Sequence, residues 1–284
     1  MNKLLCIVGP TGTRKTARAL EMAKEQPSVL ISADSRQVYR GMDIVTGKDH
    51  PRDIAIYGID VVEPDESCSV SVWYDAVMPK IERAWGERKL PIVVGGTGLY
   101  VKALTMGIQT MHIPINHALR DKLETLSVSE LQTKLQEENS AKFSSLNHSD
   151  QNNPRRLIRA IEVSQSSHQS LTIGPLPSAK LIGLKYFDYS NYRSIVHKRV
   201  LIRLSQGAIE ETKFLLKKYN KDIQSMSAIG YRSIIKFLEK SLTEEEMIKT
   251  WVEGELAYAK RQLTWFRKQS VIWYDVDTYG ITQN

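Results

Sequence analysis

The segment with the clearest chemistry is an eight-residue loop, G-P-T-G-T-R-K-T, at positions 9–16. It matches the phosphate-binding pattern G-x-x-x-x-G-K-[ST] at Gly9, Lys15 and Thr16, and it lies between a strand-like run and a helix-like run. In that context the backbone amides and the lysine bind phosphate oxygens, and the threonine hydroxyl can bind Mg²⁺. The sequence therefore predicts a site for a di- or triphosphate, with Mg²⁺ held by Thr16. The predicted loop residues are Gly9, Pro10, Thr11, Gly12, Thr13, Arg14, Lys15 and Thr16.

Arg14 stands where the pattern has its second glycine. A loop glycine often has a positive φ, and a side chain in that conformation costs on the order of 1 kcal/mol. A guanidinium that donates to a phosphate oxygen returns roughly 1.5–3 kcal/mol. We therefore expect a functional loop with an unusual side chain. The alternative is a loop that only turns the chain.

A carboxylate, Asp34, follows the second strand-like run at 29–32. Kinases and nucleotide hydrolases need an acidic residue at the end of a strand beside the phosphate loop, and so does other diphosphate chemistry. The loop and Asp34 together leave those alternatives open. An aspartate after a strand also commonly caps a turn or a helix, which is the structural alternative for Asp34.

Short β-branched runs alternate with longer helical runs over the first hundred residues. The pattern predicts strands at 4–8, 29–32 and 91–94, and helices at 15–24 and 70–85. This alternation is typical of a parallel sheet covered by helices, in which ligands bind at the carboxyl ends of the strands. The loop at 9–16, Asp34 and the glycine-rich turn at 95–98 all follow predicted strands.

The middle of the chain is polar and helix-prone, with no strand signal between 107 and 150. We interpret it as a small helical insertion. After it the pattern predicts a helix at 153–165, a loop at 166–178, a strand at 180–184, helices over most of 191–269 and a last strand or tail at 271–274. The predicted fold is α/β: a first core part at 1–106, the insertion at 107–150, and the remaining core with a helical C-terminal half at 151–284.

Basic residues exceed acidic ones, 39 to 32, and the formal net charge is +7. Phosphate contacts from clustered basic residues supply most non-specific nucleic-acid affinity. Solvated helix faces are the alternative explanation for each cluster. The clusters are Arg155, Arg156 and Arg159; Lys198, Arg199 and Arg203; and Lys260, Arg261, Arg267 and Lys268.

Other classes of protein are disfavoured by composition. No apolar stretch reaches the roughly 20 residues of a membrane helix, and the first residues lack the pattern of a signal peptide. Two cysteines, Cys6 and Cys68, are too few for a disulfide scaffold or a four-ligand zinc site. We expect a reduced, cytoplasmic setting without a membrane.

Five segments, in order along the chain, resemble the tRNA dimethylallyltransferase family, the isopentenyl-tRNA transferases. They read A-D-S-R-Q-V-Y-R-G-M-D-I at 33–44, P-I-V-V-G-G-T-G-L-Y at 91–100, N-P-R-R-L-I-R-A-I-E-V at 153–163, A-I-G-Y-R at 228–232 and A-K-R-Q-L-T-W-F-R at 259–267. Five collinear segments over nearly the whole chain are highly specific. The chain departs from the family's pattern at Arg14 and at Glu255-Leu256, where the family usually has T-R.

The resemblance implies transfer of a dimethylallyl group from dimethylallyl diphosphate to the exocyclic amine of a tRNA adenosine. The amides of the loop, Lys15 and Mg²⁺ on Thr16 suit the leaving diphosphate, and by resemblance Arg203 also grips it. By resemblance too, Asp34 is the base that takes the amine proton. Thr97 would reach toward the amine or the diphosphate, with a turn hydroxyl as its structural alternative.

The RNA-side residues are also implied by the resemblance. Enzymes that act on a base extrude it from its stack and hold its edge by hydrogen bonds. Trp265 and Phe266 are expected more in the core than as stacking platforms. The residues predicted to contact tRNA are Asp34, Ser35, Arg36, Gln37, Thr97, Arg155, Arg156, Arg159, Lys260 and Arg261.

Three other functions fit part of the sequence. A P-loop kinase of a small metabolite explains 9–16 but not the five segments. A paralogue that binds tRNA with little or no catalysis is suggested by Arg14 and Leu256. A prenyltransferase of free nucleotides is disfavoured by the RNA-side segments. We expect a monomer that takes tRNA, dimethylallyl diphosphate and Mg²⁺.

Overall fold

The computed structural model describes residues 2–51, 54–166, 179–186 and 188–276. They divide into two compact units: Met1–Gly107 together with Pro175–Asn284, which we call the core unit, and Ile108–Gly174, the inserted unit. The described strands are β1 (Leu4–Val8), β2 (Ser28–Ser32), β3 (Ile56–Tyr57), β4 (Leu90–Gly95), β5 (Ala179–Lys185) and β6 (Ile272–Asp275).

Helices make up most of the remaining described chain. They are α1 (Lys15–Glu25), α2 (Val70–Gly86), α3 (Gly98–Thr105), α4 (His117–Leu123), α5 (Val128–Glu138), α6 (Ser140–Ser145), α7 (His148–Gln151), α8 (Pro154–Gln165), α9 (Tyr189–Ser205), α10 (Ala208–Lys218), α11 (Ile229–Leu238) and α12 (Glu244–Phe266). A short 3₁₀ helix spans Ser225–Ser227. No described helix combines the length and apolar character needed to cross a membrane.

The sheet has six strands in the order β3-β2-β4-β1-β5-β6, and every pairing is parallel. Its central strand β1 is buried along its whole length, as expected for a parallel sheet covered on both faces. Its register pairs Val8 with Gly95 of β4 and with Gly183 of β5. Ser32 of β2 pairs with Val94. The carboxyl ends of β1, β2 and β4 therefore meet at one edge of the sheet.

The predicted α/β fold is confirmed, and most predicted elements agree with the structure within two residues. Two elements were not predicted. Strand β3 is only two residues long, too short for an alternating pattern to show, and α3 follows the glycine-rich turn without a separate signal. The loop predicted at 166–178 lies almost entirely outside the described residues.

The inserted unit is built on helices α4 to α8 around its own apolar core. Helix α8 supplies four of the seven buried residues of that core, Leu157, Ile158, Ala160 and Ile161. The sequence-based boundary at 150 assigned this helix to the remaining core. That boundary is corrected here, because an amphipathic pattern shows that a helix buries one face but not which core it packs against.

A buried carboxylate organises the inserted unit. Glu162 is only 3% exposed, and it accepts both a fork from Arg120, with Nε and Nη2 at 2.9 and 2.8 Å, and the Asn116 amide at 2.7 Å. Arg159 donates to the same carboxylate. Burial alone raises the pKa of Glu162, but the bonds from Arg120, Arg159 and the Asn116 amide outweigh it and lower that pKa to about 2.

We expect Glu162→Gln to lower the free energy of unfolding of the inserted unit by about 3 kcal/mol, because it leaves two arginines without their carboxylate. The folded-state pKa is depressed, so this stabilisation is complete above pH 4.5 and is lost as the pH falls toward about 2. Amide hydrogen exchange in α4 and α8, measured against pH, checks both points. Glu137→Gln, at an exposed position on α5, is the control; equal protection in the two variants would contradict the assignment.

Candidate functional site

A cleft of about 590 Å³ opens at the carboxyl edge of the sheet in the core unit. Its walls come from the phosphate loop, the chain after β2 and β4, and helices α9 and α12. The predicted site residues that line it are Thr11, Gly12, Arg14, Lys15, Thr16, Asp34, Arg36, Gln37, Arg203 and Arg261. The structure thus brings five of the eight predicted loop residues, Arg203 and the predicted base into one cavity, whereas Gly9, Pro10 and Thr13 do not line it.

The phosphate loop is folded around its own carbonyl at Pro10. Lys15 Nζ donates to that oxygen at 2.5 Å, and the fully buried Thr13 hydroxyl donates to it at 2.9 Å. Helix α1 begins at Lys15, within the loop segment, and has no acidic residue in its first turn. The positive end of α1 and the Lys15 ammonium therefore face an anion site without an acidic side chain in that turn.

The pKa of Lys15 is lowered to about 8; burial is the main cause, and nearby Arg199 acts in the same direction. Asp34, Asp49 and Glu255 act in the opposite direction and raise it. Lys15 is therefore charged at neutral pH. Because its pKa is only slightly above neutral pH, an anion bound in the cleft would favour the charged form further.

Arg14 adopts the backbone conformation that a glycine would, with φ 54° and ψ 27°, in the left-handed region. This confirms the expected positive φ, and it places an exposed side chain at the margin of the cleft. The backbone of the loop thus keeps the turn of the pattern, and the arginine projects beside the loop rather than into its core.

Helices from the C-terminal half hold the loop from outside. Tyr192 Oη on α9 donates to the Thr11 carbonyl at 2.7 Å, and the Thr11 amide donates to Gln262 Oε1 on α12 at 3.3 Å. Gln262 is 5% exposed, so this contact lies inside the protein. The loop that binds phosphate is therefore positioned by residues 180 to 250 positions later in the chain.

Two arginines on α9 stand one turn apart in the cleft. Arg203 is 8% exposed; its Nη1 lies 3.4 Å from Glu255 Oε1, and its guanidinium lies over the Trp251 ring at 6.0 Å. Burial lowers the pKa of Arg199, and Arg203 lowers it further. Arg199 was not among the predicted site residues. Its i, i+4 spacing from Arg203 was the signal that could have identified it.

The Asp34 carboxylate caps a turn and also lines the cleft, and its role as a base stays a prediction. Its Oδ1 accepts the Arg36 amide at 2.9 Å, which is a turn cap, and its half-buried carboxylate lines the cleft. Thr97 does not line the cleft; its Oγ1 accepts the Ser35 amide at 2.9 Å, and its hydroxyl donates to Ser35 Oγ at 3.3 Å. Thr97 therefore holds the turn that carries Asp34.

Tyr258 on α12 also lines the cleft and was not predicted. Burial is the main cause that raises the pKa of Tyr258 to about 12, and Asp34 contributes. Its hydroxyl therefore stays protonated beside Asp34 at neutral pH. No sequence pattern distinguished this tyrosine from the other eleven in the chain.

The residues after Asp34 have partners inside the protein. Arg36 Nη1 donates to the Gln224 carbonyl and the Ser227 hydroxyl, each at 3.2 Å. Gln37 Nε2 donates to the Gly47 carbonyl at 2.9 Å, and its Oε1 accepts from Ser32 at 2.7 Å. Their contacts with a nucleoside stay predictions, and within the chain Gln37 ties β2 to the loop around Gly47.

The other residues predicted to contact RNA have varied environments. In the inserted unit, Arg159 donates to the Thr110 and Ile113 carbonyls at 2.8 and 2.9 Å, Arg156 pairs with Asp150, and Arg155 is exposed. On α12, Lys260 and Arg261 are exposed, and Arg261 lies over the Tyr258 ring at 5.6 Å.

The two aromatic residues near the end of α12 pack within the protein. Phe266 is fully buried, as expected, and Trp265 meets its ring edge-on with centroids 4.9 Å apart. The Trp265 ring lies against Gly98 so closely that a Cβ at that position would overlap it. The glycine at the start of α3 is therefore required for α12 to approach.

The donor atoms for a metal ion suit Mg²⁺. The Thr16 hydroxyl, Asp34 and Asp49 all line the cleft, and Mg²⁺ prefers such hard oxygen ligands together with phosphate oxygens. A second group of possible metal ligands, the carboxylates of Asp43 and Asp60 and the imidazole of His50, lies close enough together to hold an ion. There Lys48 Nζ already lies 2.7 Å from Asp43 and 2.5 Å from Asp60, so its ammonium takes the place of a cation.

Comparison with known proteins agrees with this arrangement. Residues 37–269 match the model of the IPP transferase family, and residues 2–58 match that of isopentenyl transferases. A tRNA dimethylallyltransferase from Finegoldia magna is 36% identical, over 95% of this chain and 90% of that protein.

Solved structures agree as well. The tRNA isopentenylpyrophosphate transferase of Bacillus halodurans is 35% identical with a TM-score of 0.72, over 97% of this chain and 90% of that one. A eukaryotic dimethylallyltransferase, described as acting on tRNA, shares the fold with a TM-score of 0.81 at 23% identity, over 97% of this chain and 74% of that one. The chain therefore belongs to the IPP transferase family, that of the tRNA dimethylallyltransferases.

Proposed function

We propose that this chain transfers a dimethylallyl group from dimethylallyl diphosphate to the exocyclic amine of the tRNA adenosine 3′-adjacent to the anticodon, releasing diphosphate. The observation that carries the proposal is the shared cleft. It presents Lys15, Arg199 and Arg203 as cations for the leaving group, and Asp34 as a carboxylate for the attacking group.

The cations serve the bond that breaks. As the allylic C–O bond lengthens, negative charge grows on the bridging oxygen of the diphosphate. Lys15, Arg199 and Arg203 neutralise that charge in a partly desolvated site, where such stabilisation is strongest. Thr16 would help to hold Mg²⁺, which would supply further positive charge for the leaving diphosphate.

Asp34 serves the bond that forms. The amine nitrogen donates its electron pair to the allylic carbon, and one amine proton passes to the Asp34 carboxylate. The cap to the Arg36 amide uses one of about four acceptor sites of that carboxylate, so it orients Asp34 and leaves capacity for the amine. Thr97 holds the turn in place through Ser35.

The acceptor in this proposal is tRNA, supported by family membership and by the eukaryotic structure described as acting on tRNA. Exposed Lys260 and Arg261 at the end of α12 supply charge for phosphates. The proposal also includes the expected monomeric state and a reducing cytoplasm. The free thiols of Cys6 and Cys68 agree with a reducing setting.

Product analysis tests the proposal directly. Purified protein incubated with tRNA, dimethylallyl diphosphate and Mg²⁺ should yield prenylated adenosine in the nucleoside digest and one equivalent of diphosphate. Donor binding without product would instead favour a tRNA-binding paralogue. Tighter binding of ATP than of dimethylallyl diphosphate would favour a small-molecule kinase.

Asp34→Asn should lower turnover by roughly 10²–10⁴, the usual contribution of a general base, because the amide cannot accept the proton. The carbonyl oxygen of asparagine can still accept the Arg36 amide, so tRNA affinity should persist. Single-turnover kinetics measures the expected loss of turnover, and filter binding measures the expected tRNA affinity. Asp65→Asn, at an exposed position, is the control, and turnover within a few-fold of wild type for Asp34→Asn would exclude the role.

Donor affinity should fall with rising pH because Lys15 loses its proton near pH 8. Its charged form binds the anion, so affinity is complete well below pH 8 and weakens above it. Calorimetric titration of pyrophosphate at several pH values measures this. Lys15→Arg stays charged and should remove the dependence, and the ligand's own ionisation cancels in the comparison. Parallel pH profiles for the two proteins would contradict the assignment.

A further inference from the structure

The loop at residues 43–48, which we call the clamped loop, forms one wall of the cleft through Val45, Thr46, Gly47 and Lys48. It has no regular secondary structure, so its position depends on the contacts that fix its backbone. For the first half of the loop those contacts come from an acidic side chain that lies outside the cleft lining.

Glu211, on α10, holds the first half of the clamped loop. Its Oε2 accepts the amides of Asp43 and Ile44 at 2.9 and 2.7 Å, and its Oε1 accepts the Val45 amide at 3.0 Å. Three successive amides that converge on one point form a binding site for an anion, and here the anion is a carboxylate of the same chain. Charge-assisted bonds of this kind are stronger than neutral ones.

The Glu211 carboxylate accepts a fourth hydrogen bond. Tyr231 Oη on α11 lies 2.6 Å from Glu211 Oε1, and Tyr231 is fully buried. Burial, followed by the nearby Glu211 charge, raises the pKa of Tyr231, so its hydroxyl keeps the proton that it donates. Glu211 therefore joins α10, α11 and the clamped loop at a single carboxylate.

The second half of the clamped loop is fixed by two other side chains. Gln37 donates to the Gly47 carbonyl at 2.9 Å. Lys48, whose side chain is fully buried, donates to the Tyr39 carbonyl at 2.5 Å and pairs with Asp43 and Asp60. Both halves are thus held, and little freedom remains at Gly47.

Gly47 is the part of the clamped loop that touches the diphosphate site. It has a φ of +65°, and a Cβ added there would lie 2.5 Å from Arg203 Nη2 and 3.2 Å from Cζ. The glycine backbone therefore packs directly on the guanidinium. Trp251 and Glu255 contact the same group, so Arg203 is confined among the three.

We propose that Glu211 is a positioning residue for donor binding. It touches neither substrate; it holds the clamped loop so that the Gly47 backbone keeps the Arg203 guanidinium directed into the cleft. The inference rests on the proposed function, since it assumes that Arg203 binds the diphosphate of the donor.

The test is a double-mutant cycle between Glu211 and Arg203, read by calorimetric titration of pyrophosphate with Mg²⁺ below the unfolding temperature of each variant. Glu211→Gln removes the charge and presents an amide nitrogen to backbone N–H groups. It should weaken pyrophosphate binding about tenfold through misplacement of Arg203. In the Arg203→Lys background, which lacks the planar fork, the same substitution should change binding less than about twofold.

Glu210→Gln is the matched control, one residue away on α10. The Glu210 side chain is 71% exposed and its pair with Lys213 is 4.0 Å long, so pyrophosphate binding should not change. If Glu211→Gln does not fold, Tyr231→Phe takes its place. It removes one of the four donors to Glu211 and should weaken binding about twofold to threefold in the wild-type background only.

Each result decides the inference. Equal losses in both Arg203 backgrounds, or a lowered melting temperature with unchanged pyrophosphate affinity, would overturn it, since a purely structural role predicts them. Pyrophosphate binding by Tyr231→Phe that equals wild-type binding would also overturn the inference. If wild type binds pyrophosphate and Glu211→Gln binds it equally, only the inference fails. If wild type binds no pyrophosphate, the proposed function fails with it.

Discussion

Positive charge held in a partly desolvated cleft is the constraint on which the rest of the structure depends. Lys15, Arg199 and Arg203 converge where helix α1 also presents its positive end, and burial lowers the pKa of Lys15 and of Arg199. Burying like charges together is unfavourable unless an anion or nearby carboxylates offset them. Asp34, Asp49 and Glu255 line the same cleft and offset part of that charge. A diphosphate with Mg²⁺ would complete the balance.

The helices of the C-terminal half position that charge. Helix α9 carries both arginines and Tyr192, which grips the phosphate loop, while α12 carries Gln262, Tyr258 and Glu255. The sheet supplies the loop, and these helices hold its backbone at Thr11 through the carbonyl and the amide. The contact of Trp265 with Gly98 shows how closely α12 approaches the start of α3.

Two unusual side chains, Arg14 and Glu255, are accommodated by the site rather than disrupting it. Arg14 takes the left-handed conformation of a loop glycine and remains exposed, so the loop keeps its turn. Glu255 stands where the family usually has threonine, and it faces Arg203 at 3.4 Å while accepting from Trp251 at 3.3 Å. Its carboxylate therefore shares the guanidinium that an incoming diphosphate would bind.

The sequence by itself determined the parts of this protein whose signals are local. The phosphate loop, the strands around it and Asp34 were predictable because a glycine-rich turn, an alternating or apolar run and a residue after a strand are all set by near neighbours. Parallel pairing then required their carboxyl ends to meet at one edge. The resemblance to the family also implied a role for Arg203, which lies outside the five segments.

Only the tertiary structure decided which side chains serve the site from a distance. Glu211 binds amides 166 to 168 positions away, and Gln262 binds one 251 positions away. Helix α8 joined the inserted core although its amphipathic pattern fitted either unit. A single charged or polar residue on a helix has the same local pattern whether it faces water or a distant backbone. The difference arises from packing, which no local periodicity records.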